Sequence, residues 1–139
     1  DPAEAERLSS LALDASDHGA ALEIINSSKL AGARRALLLA RTYLSMGRPS
    51  LALAVTGAAS RSGEADPDCL PGLLYAEGRA CETLGDYGRA AAAFARILTG
   101  DAGFRDARAR AESNYSKFIA SHMEENVEIL VKTGEIRPD

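Results

Sequence analysis

The sequence has little of what most catalytic and metal-binding sites are built from. Among its 139 residues there is no tryptophan, and there are only two cysteines and two histidines. Cys69 and Cys81 have no second cysteine pair beside them, so the usual spacing of a structural zinc site is missing. The sequence also contains neither a Gly-x-Ser-x-Gly elbow nor a phosphate-binding glycine loop. We therefore expect no metal, no cofactor and no enzyme activity.

Long apolar runs and a basic excess are missing as well. The longest apolar stretch is far short of the ~20 residues that span a bilayer, and no signal-peptide pattern is present. A net charge of −4 gives no support for a nucleic-acid partner. We expect no membrane insertion and a cytoplasmic location with reduced cysteines, although the export status of a longer protein stays open. Cys81 is predicted to lie on a buried helical face, as a small apolar residue.

Alanine is abundant, with 27 residues, all of them within residues 1–121. It is the strongest helix former, and its small side chain lets helices approach closely. No segment shows sustained strand-like alternation. A chain of this length suits one domain with a continuous core. The sequence therefore predicts an all-α fold.

The most informative segment runs from residue 71 to residue 98. Apolar side chains recur there at helical spacing on both sides of Gly85-Asp86-Tyr87, which predicts two antiparallel helices joined by a tight turn. Gly78 and Ala90 are small where the two helices would cross, and Phe94 fills the space beyond them.

This segment resembles a tetratricopeptide repeat, a helix pair that recurs about every 34 residues. Gly78 takes the small position of the family's first helix, and Cys81 the aromatic or aliphatic one. Ala90 takes the small position of the second helix, and Phe94 the aromatic one. The usual proline at the end of the repeat is replaced by residues 101–103. An ordinary helical hairpin in a bundle without repeats is the alternative.

A weaker copy of the pattern precedes it, with its turn at Gly47-Arg48-Pro49. Ala52 follows that turn as the small residue, and Thr56 stands where the aromatic residue is expected. Because the turn glycines Gly47 and Gly85 are 38 residues apart, the polar segment 60–68 is expected to hold the excess as a loop between repeats.

A third, degenerate copy begins the chain, with a turn at residues 16–19 and with Leu8, Leu11 and Ala12 facing inward. Residues 104–121 predict one more amphipathic helix, which would close the open end of the array. Its inward stripe is formed by Phe104, Ala107, Ala111, Tyr115 and Phe118. The resemblance implies a right-handed superhelix of antiparallel helix pairs, an α-solenoid with a C-terminal capping helix, over residues 1–121.

In this family the first helix of each pair lines a concave groove that binds peptides. Carried over position by position, the implied surface comprises Arg34, Leu37, Leu38, Arg41, Leu44, Tyr75, Ala76, Arg79, Glu82, Thr83, Asp106, Arg110, Ser113 and Lys117. Its arginines would form a positive strip in an acidic chain, and guanidinium groups bind carboxylates well. The implied partner is a protein or peptide that is acidic or apolar-acidic. The alternative is that these arginines only keep the helix faces soluble.

The function that follows from the resemblance is that of an adaptor or scaffold. A structural or self-assembling spacer domain of a larger protein is the alternative. So is an accessory domain of a signalling enzyme such as a kinase. The sequence leaves the oligomeric state open.

The last segment, residues 122–139, differs abruptly in composition, since it contains no alanine. Ser121-His122-Met123 resembles the residues left by a common cloning site, after which a fused partner peptide would begin. The side chains of that peptide that would dock are Glu124, Glu125, Val127, Ile129, Leu130 and Val131. The alternative is a natural continuation, a short final helix that ends at Thr133-Gly134.

Overall fold

The computed structural model describes residues 1–61 and 66–134, and within these ranges it contains seven α-helices and no β-strand. The helices are α1 (Pro2–Asp14), α2 (His18–Ser27), α3 (Gly32–Ser45), α4 (Pro49–Arg61), α5 (Leu70–Thr83), α6 (Tyr87–Gly100) and α7 (Ala107–Lys132). The predicted all-α fold is confirmed. In this part of the chain, no helix combines the length and the apolar character that crossing a membrane requires.

Helices that are neighbours along the chain are also in contact in the structure. Contacts join α1 to α2, α3 to α4 and α5 to α6, and each of these pairs has a three-residue connection. Two contacting helices with so short a connection are antiparallel. Further contacts join α2 to α3, α4 to α5 and α6 to α7, and also α1 to α3 and α3 to α5. Each of the first two helix pairs is thus covered on one flank by the first helix of the next pair, and α6 of the third pair is covered by α7.

The three connections share one turn geometry. The predicted turn glycines Gly47 and Gly85 have φ angles of 72° and 80°, and Ser16 has a φ angle of 58° at the corresponding point. The closing hydrogen bonds are donated by the backbone amides of Asp17, Arg48 and Asp86 to the carbonyls of Ala12, Tyr43 and Cys81, at 2.8, 2.8 and 2.9 Å. This is the Schellman pattern, which requires one left-handed residue after the helix.

Buried residues recur at fixed distances from these three turns. Seven residues before the turn lie Ser9, Ala40 and Gly78, five residues after it lie Ala21, Ala52 and Ala90, and nine residues after it lie Ile25, Thr56 and Phe94. The small residues allow the two helices of a pair to cross closely. Thr56 is fully buried where the aromatic residue was expected, and its hydroxyl donates to the Leu53 carbonyl at 3.1 Å.

Both cysteines are free thiols inside the core. Cys81 is fully buried, as predicted, in a cluster with Ala90, Phe94 and Ile97. Burial raises the pKa of the Cys81 thiol to about 11. The pKa of Cys69 is also raised, by burial first and then by the negative charge of Asp66.

The predicted inward face of α1 is wrong. Leu8 and Leu11 are 40% and 53% exposed, whereas Ala5 and Ser9 are buried. Ala5 and Ser9 lie about one helical turn apart and form the buried face of α1, so Leu8 and Leu11 fall on an exposed face. Ala12, also predicted to face inward, is half-buried.

The predicted bounds of the last helix are also wrong. Helix α7 begins at Ala107 and continues to Lys132, across the change in composition at residue 121. It ends at Thr133-Gly134, where Gly134 has a φ angle of 79°, so the expected stop at that dipeptide is confirmed. The segment 122–132 is therefore a continuation of α7. Residues 62–65 of the predicted loop and residues 135–139 of the last segment lie outside the described residues.

The inward stripe of α7 is only partly as predicted. Ala107 is buried, but Tyr115 is 59% exposed and Phe118 is also exposed. Asn114 is fully buried in their place. Its side-chain amide donates to Glu82 Oε2 at 2.7 Å, so a polar contact with α5 fixes the rotation of α7.

Candidate functional site

A depression of about 330 Å³ lies between α3 and α5, and we call it the α3–α5 groove. It is lined by Leu37, Arg41, Leu44, Ser45, Gly72, Tyr75, Ala76, Arg79 and Arg105. Six of these residues were predicted for the binding surface: Leu37, Arg41, Leu44, Tyr75, Ala76 and Arg79. The structure brings these six together on the first helices of two neighbouring pairs.

Close approach of the two helices forms the floor of this groove. A β-carbon at Gly72 would lie 3.1 Å from Leu37 Cδ2, so glycine lets α5 approach the Leu37 side chain on α3. Arg41 and Arg79 are separated by the same 38 residues as the turn glycines Gly47 and Gly85. The two arginines therefore occupy equivalent positions on α3 and α5, and both line the groove.

Two of the predicted arginines are used in ion pairs within the chain. Arg34 Nη1 lies 3.1 Å from Glu6 Oε2, and Arg34 Nε lies 3.9 Å from Asp66 Oδ2. Arg110 forms a short ion pair with Glu82. These two arginines connect elements of the fold, and neither of them lines the groove.

The three arginines that line the groove differ from Arg34 and Arg110 in having no ion-pair partner within the described residues. Among residues 1–61 and 66–134, no carboxylate forms an ion pair with Arg41, Arg79 or Arg105, and no side-chain hydrogen bond neutralises any of the three guanidinium groups. None of the acidic residues in these ranges lines the groove. It is thus a cationic site in a chain whose net charge is −4.

Arg105 was not predicted as a site residue. It lies in the connection between α6 and α7 with a φ angle of 43°, a left-handed conformation that is unfavourable for a residue with a β-carbon. Its guanidinium carbon lies 4.9 Å from the ring centroids of both Tyr75 and Phe104. These cation–π contacts hold the charge over the edge of the groove. Residues 104–121 were predicted to form one helix with Phe104 on its inward stripe, and nothing in the spacing of Arg105 indicated this role.

A polar network fixes the wall of the groove beside Tyr75. The Tyr75 hydroxyl donates to Asp106, and Asp106 Oδ2 accepts from Arg110 Nε at 2.9 Å. The hydroxyl lowers the pKa of the Asp106 carboxyl, and Arg110 lowers it further. Glu82 accepts from both Arg110 and Asn114. The predicted site residues Glu82, Asp106 and Arg110 thus hold α5 and α7 together and orient the Tyr75 ring.

The other predicted site residues lie outside the groove lining. Leu38 is only 2% exposed and belongs to the core. Thr83 and Ser113 are exposed at other positions, and Lys117 Nζ lies 5.4 Å from the Tyr87 ring centroid. The residues of the candidate docking peptide, Glu124, Glu125, Val127, Ile129, Leu130 and Val131, all lie on the C-terminal half of α7, and none of them lines the groove.

A second depression, of about 720 Å³, lies between α6 and α7, and we call it the α6–α7 cleft. It is lined mainly by small residues, with charged and aromatic side chains at its rim: Asp86, Gly88, Arg89, Ala91, Ala92, Ala95, Ala111, Glu112, Tyr115 and Phe118. Sequence reasoning missed this cleft because it assigned Tyr115 and Phe118 to the core.

The two depressions differ in chemistry. The α3–α5 groove combines guanidinium groups with an apolar floor, whereas the α6–α7 cleft is almost entirely apolar. In the described part of the chain, no group of three or more His, Cys, Asp or Glu side chains is placed to hold a metal ion. Comparisons with protein-family models, with curated proteins and with solved structures found no match to this chain.

Proposed function

We propose that this chain is a protein-interaction module whose α3–α5 groove binds an acidic segment of a partner protein. The observation that carries this proposal is the set of three guanidinium groups, those of Arg41, Arg79 and Arg105, around an apolar floor, which form no ion pair within the described residues. Of the 20 Asp and Glu residues in the sequence, 17 lie in the described ranges, and none of these lines the groove. A carboxylate from another molecule would satisfy these cations.

Arginine suits this role because its planar guanidinium donates two parallel hydrogen bonds to one carboxylate. A hydrogen bond to a charged group is worth about 1.5–3 kcal/mol. The stacking of Arg105 on Tyr75 and Phe104 orders one of the three guanidinium groups in advance. Less side-chain entropy is then lost when an acidic ligand binds.

The floor of the groove selects for apolar groups beside the acid. Leu37, Leu44, Tyr75 and Ala76 supply its carbon surface. A volume of about 330 Å³ holds a few side chains, so an extended peptide fits better than a folded domain. The proposed ligand is a short segment in which Asp or Glu alternates with Leu, Ile or Val.

The proposal includes the arrangement of the helix pairs as a tetratricopeptide-like array, with a right-handed superhelix and with the groove on its concave side. This arrangement is supported by the turns at Ser16, Gly47 and Gly85, which share one geometry, and by the buried positions that recur at fixed distances from them. A further support is that the contacts join helices that are neighbours along the chain.

The test is titration calorimetry with a peptide of alternating Glu and Leu and with a control peptide that has Gln in place of Glu. We expect only the Glu peptide to bind, with an affinity that falls as salt rises. The double variant Arg41→Glu/Arg79→Glu should weaken binding by at least ~10-fold, since each lost charged contact is worth about 1.5–3 kcal/mol.

Lys29→Glu/Arg96→Glu is the matched control. Lys29 and Arg96 are exposed and neither lines the groove, so this double variant makes the same change of net charge elsewhere. Equal binding by this control and the groove double variant would show that only net charge matters. That result, or binding of the Gln peptide as tight as that of the Glu peptide, would refute the proposal.

A further inference from the structure

Charge is distributed unequally along α7. Its first half, residues 107–119, has three cations (Arg108, Arg110 and Lys117) and one carboxylate (Glu112), a net charge of +2. Its second half, residues 120–132, has three carboxylates (Glu124, Glu125 and Glu128) and one cation (Lys132), a net charge of −2. Among the described residues, none of the three carboxylates in the second half forms an ion pair.

The second half of α7 also has an unpartnered apolar stripe. Ile119, Met123, Val127 and Leu130 follow one another at steps of four, four and three residues, so they lie on one face of the helix. Met123 is 61% exposed and Val127 is 49% exposed. A single exposed apolar residue needs no explanation, but a continuous stripe is typical of a helix that packs against another surface.

The first half of α7 forms one wall of the α6–α7 cleft. Gly88 and four alanines line this cleft, and its volume of about 720 Å³ can hold several side chains of a packed helix. Phe118 closes one end of it, since a β-carbon at Gly88 would lie 2.9 Å from the Phe118 ring. The positive half of the helix thus bears an apolar hollow, and the negative half bears an apolar ridge.

The ridge cannot reach the hollow within one chain. Both lie on a single helix of 26 residues, about 39 Å long at 1.5 Å per residue. Because α6 has only 14 residues, α7 is longer than α6 by about 18 Å. All residues from Tyr115 to Ile129 are exposed. Among residues 1–61 and 66–134, no segment covers both surfaces, and a second copy of this chain would cover them.

We infer that α7 is a homodimerisation element, and that it pairs antiparallel with α7 of a second copy of this chain. The Ile119–Leu130 ridge of each copy would fill the α6–α7 cleft of the other, which makes a closed two-fold interface. Antiparallel pairing brings the positive half of one helix against the −2 half of its partner, twice. Arg110 is already paired with Glu82, so the cations that face the partner are Arg108 and Lys117, which form no ion pair within the described residues. A parallel pair would place like charges together, so the charge pattern selects the antiparallel arrangement. This surface is separate from the α3–α5 groove.

The first test is the mass of the chain in solution, measured by sedimentation equilibrium at increasing concentration. We expect a reversible dimer for the unchanged sequence. The variant Met123→Glu/Val127→Glu should be a folded monomer, because it places charge in the ridge without touching the core. Circular dichroism of the variant should still be helical. A monomer for the unchanged sequence up to ~1 mM, where even weak association is visible, would overturn the inference.

A charge exchange gives a sharper test. Variant one, Arg108→Glu/Lys117→Glu, makes the first half of α7 negative, and variant two, Glu124→Lys/Glu125→Lys, makes the second half positive. For each variant alone, repulsion between like charges should raise the Kd of the dimer by at least ~10-fold. An equal mixture of the two variants should form a heterodimer with a Kd close to that of the unchanged dimer. Dimers of either variant alone that are as stable as those of the unchanged sequence would refute the charge argument.

The two proposals can fail separately. None of the four substituted positions of the charge exchange lies in the α3–α5 groove, and neither does Met123 or Val127. The monomeric variant should therefore bind the Glu-containing peptide as the unchanged chain does. Loss of dimerisation without loss of peptide binding would distinguish the two surfaces.

Discussion

Gly78 on α5 lies directly against the ring of Phe94 on α6. A β-carbon at Gly78 would stand 2.6 Å from Phe94 Cζ, closer than such atoms approach in real structures. The ring cannot move aside easily, because it is fully buried and contacts the Tyr75 ring edge-on at a centroid distance of 5.6 Å. Glycine at this position allows the best-formed helix pair to close.

We therefore expect Gly78→Ala to destabilise the fold by about 1–2 kcal/mol. Overpacking of a core costs about 1–3 kcal/mol, and the better helix propensity of alanine returns part of that cost. The measurement is urea unfolding followed by circular dichroism. Gly100→Ala is the control, since a β-carbon there would meet nothing within 4 Å. A Gly78→Ala protein as stable as the control would contradict the close packing of this pair.

The turn between α1 and α2 contains a residue with a side chain where glycine would be more favourable. Ser16 has a φ angle of 58°, where the equivalent turns have glycine. A left-handed residue with a β-carbon costs about 1–2 kcal/mol, and the greater freedom of glycine in the unfolded chain offsets part of the gain. Ser16→Gly should stabilise the protein by about 0.5–1 kcal/mol and raise Tm by roughly 2–4 °C.

Ser10→Gly makes the same substitution inside α1, where a helical residue is needed. It should destabilise by about 0.5 kcal/mol, as expected from helix propensity. Thermal unfolding of the two variants side by side separates the turn from the general effect of glycine. Destabilisation by both substitutions would mean that Ser16 is not held in the left-handed conformation.

Alkaline pH should lower the stability of the fold by ionising the buried Cys81 thiol. Its folded pKa of about 11 lies above the ordinary value of 9.0, because burial disfavours the thiolate. A raised pKa in the folded state contributes stability that is complete below pH 9 and is lost as pH rises through about 11. The loss from this group is on the order of 2 kcal/mol at pH 11.

The measurement is the free energy of unfolding of the unchanged chain and of Cys81→Ala at several pH values from 8 to 11. Replacing Cys81 by alanine removes the packing contacts of its sulfur at every pH, and it also removes the group whose ionisation destabilises the fold at high pH. The stability gap between the two proteins should therefore narrow as pH rises. A gap that stays constant to pH 11 would show that the buried thiol does not titrate in this range.

The sequence predicted the elements that depend on local chemistry. Gly47 and Gly85 fixed the turns, because few residues other than glycine adopt their left-handed conformation easily. Ala90 and Phe94 revealed the core of one helix pair through helical spacing and size. The resemblance to the repeat family placed Arg41 and Arg79 on the predicted binding surface, and both line the α3–α5 groove.

Features that depend on distant partners could not be predicted in this way. Asn114 is buried because it contacts Glu82, 32 residues earlier, and that contact turns Tyr115 and Phe118 outward. Arg105 joins the groove through the rings of Tyr75 and Phe104, which hydrophobic periodicity does not indicate. The continuation of α7 past residue 121 was hidden by the change in composition.

The contacts between helices that are neighbours along the chain have a consequence for how the protein folds during its synthesis. Because the first helix pair contacts only what immediately follows it among the described helices, it can settle while later residues are still being synthesised. Contacts that join nearby parts of a chain are also quick to find. We expect these helix pairs to form one after another during synthesis, with α1 and α2 packing before α5 and α6.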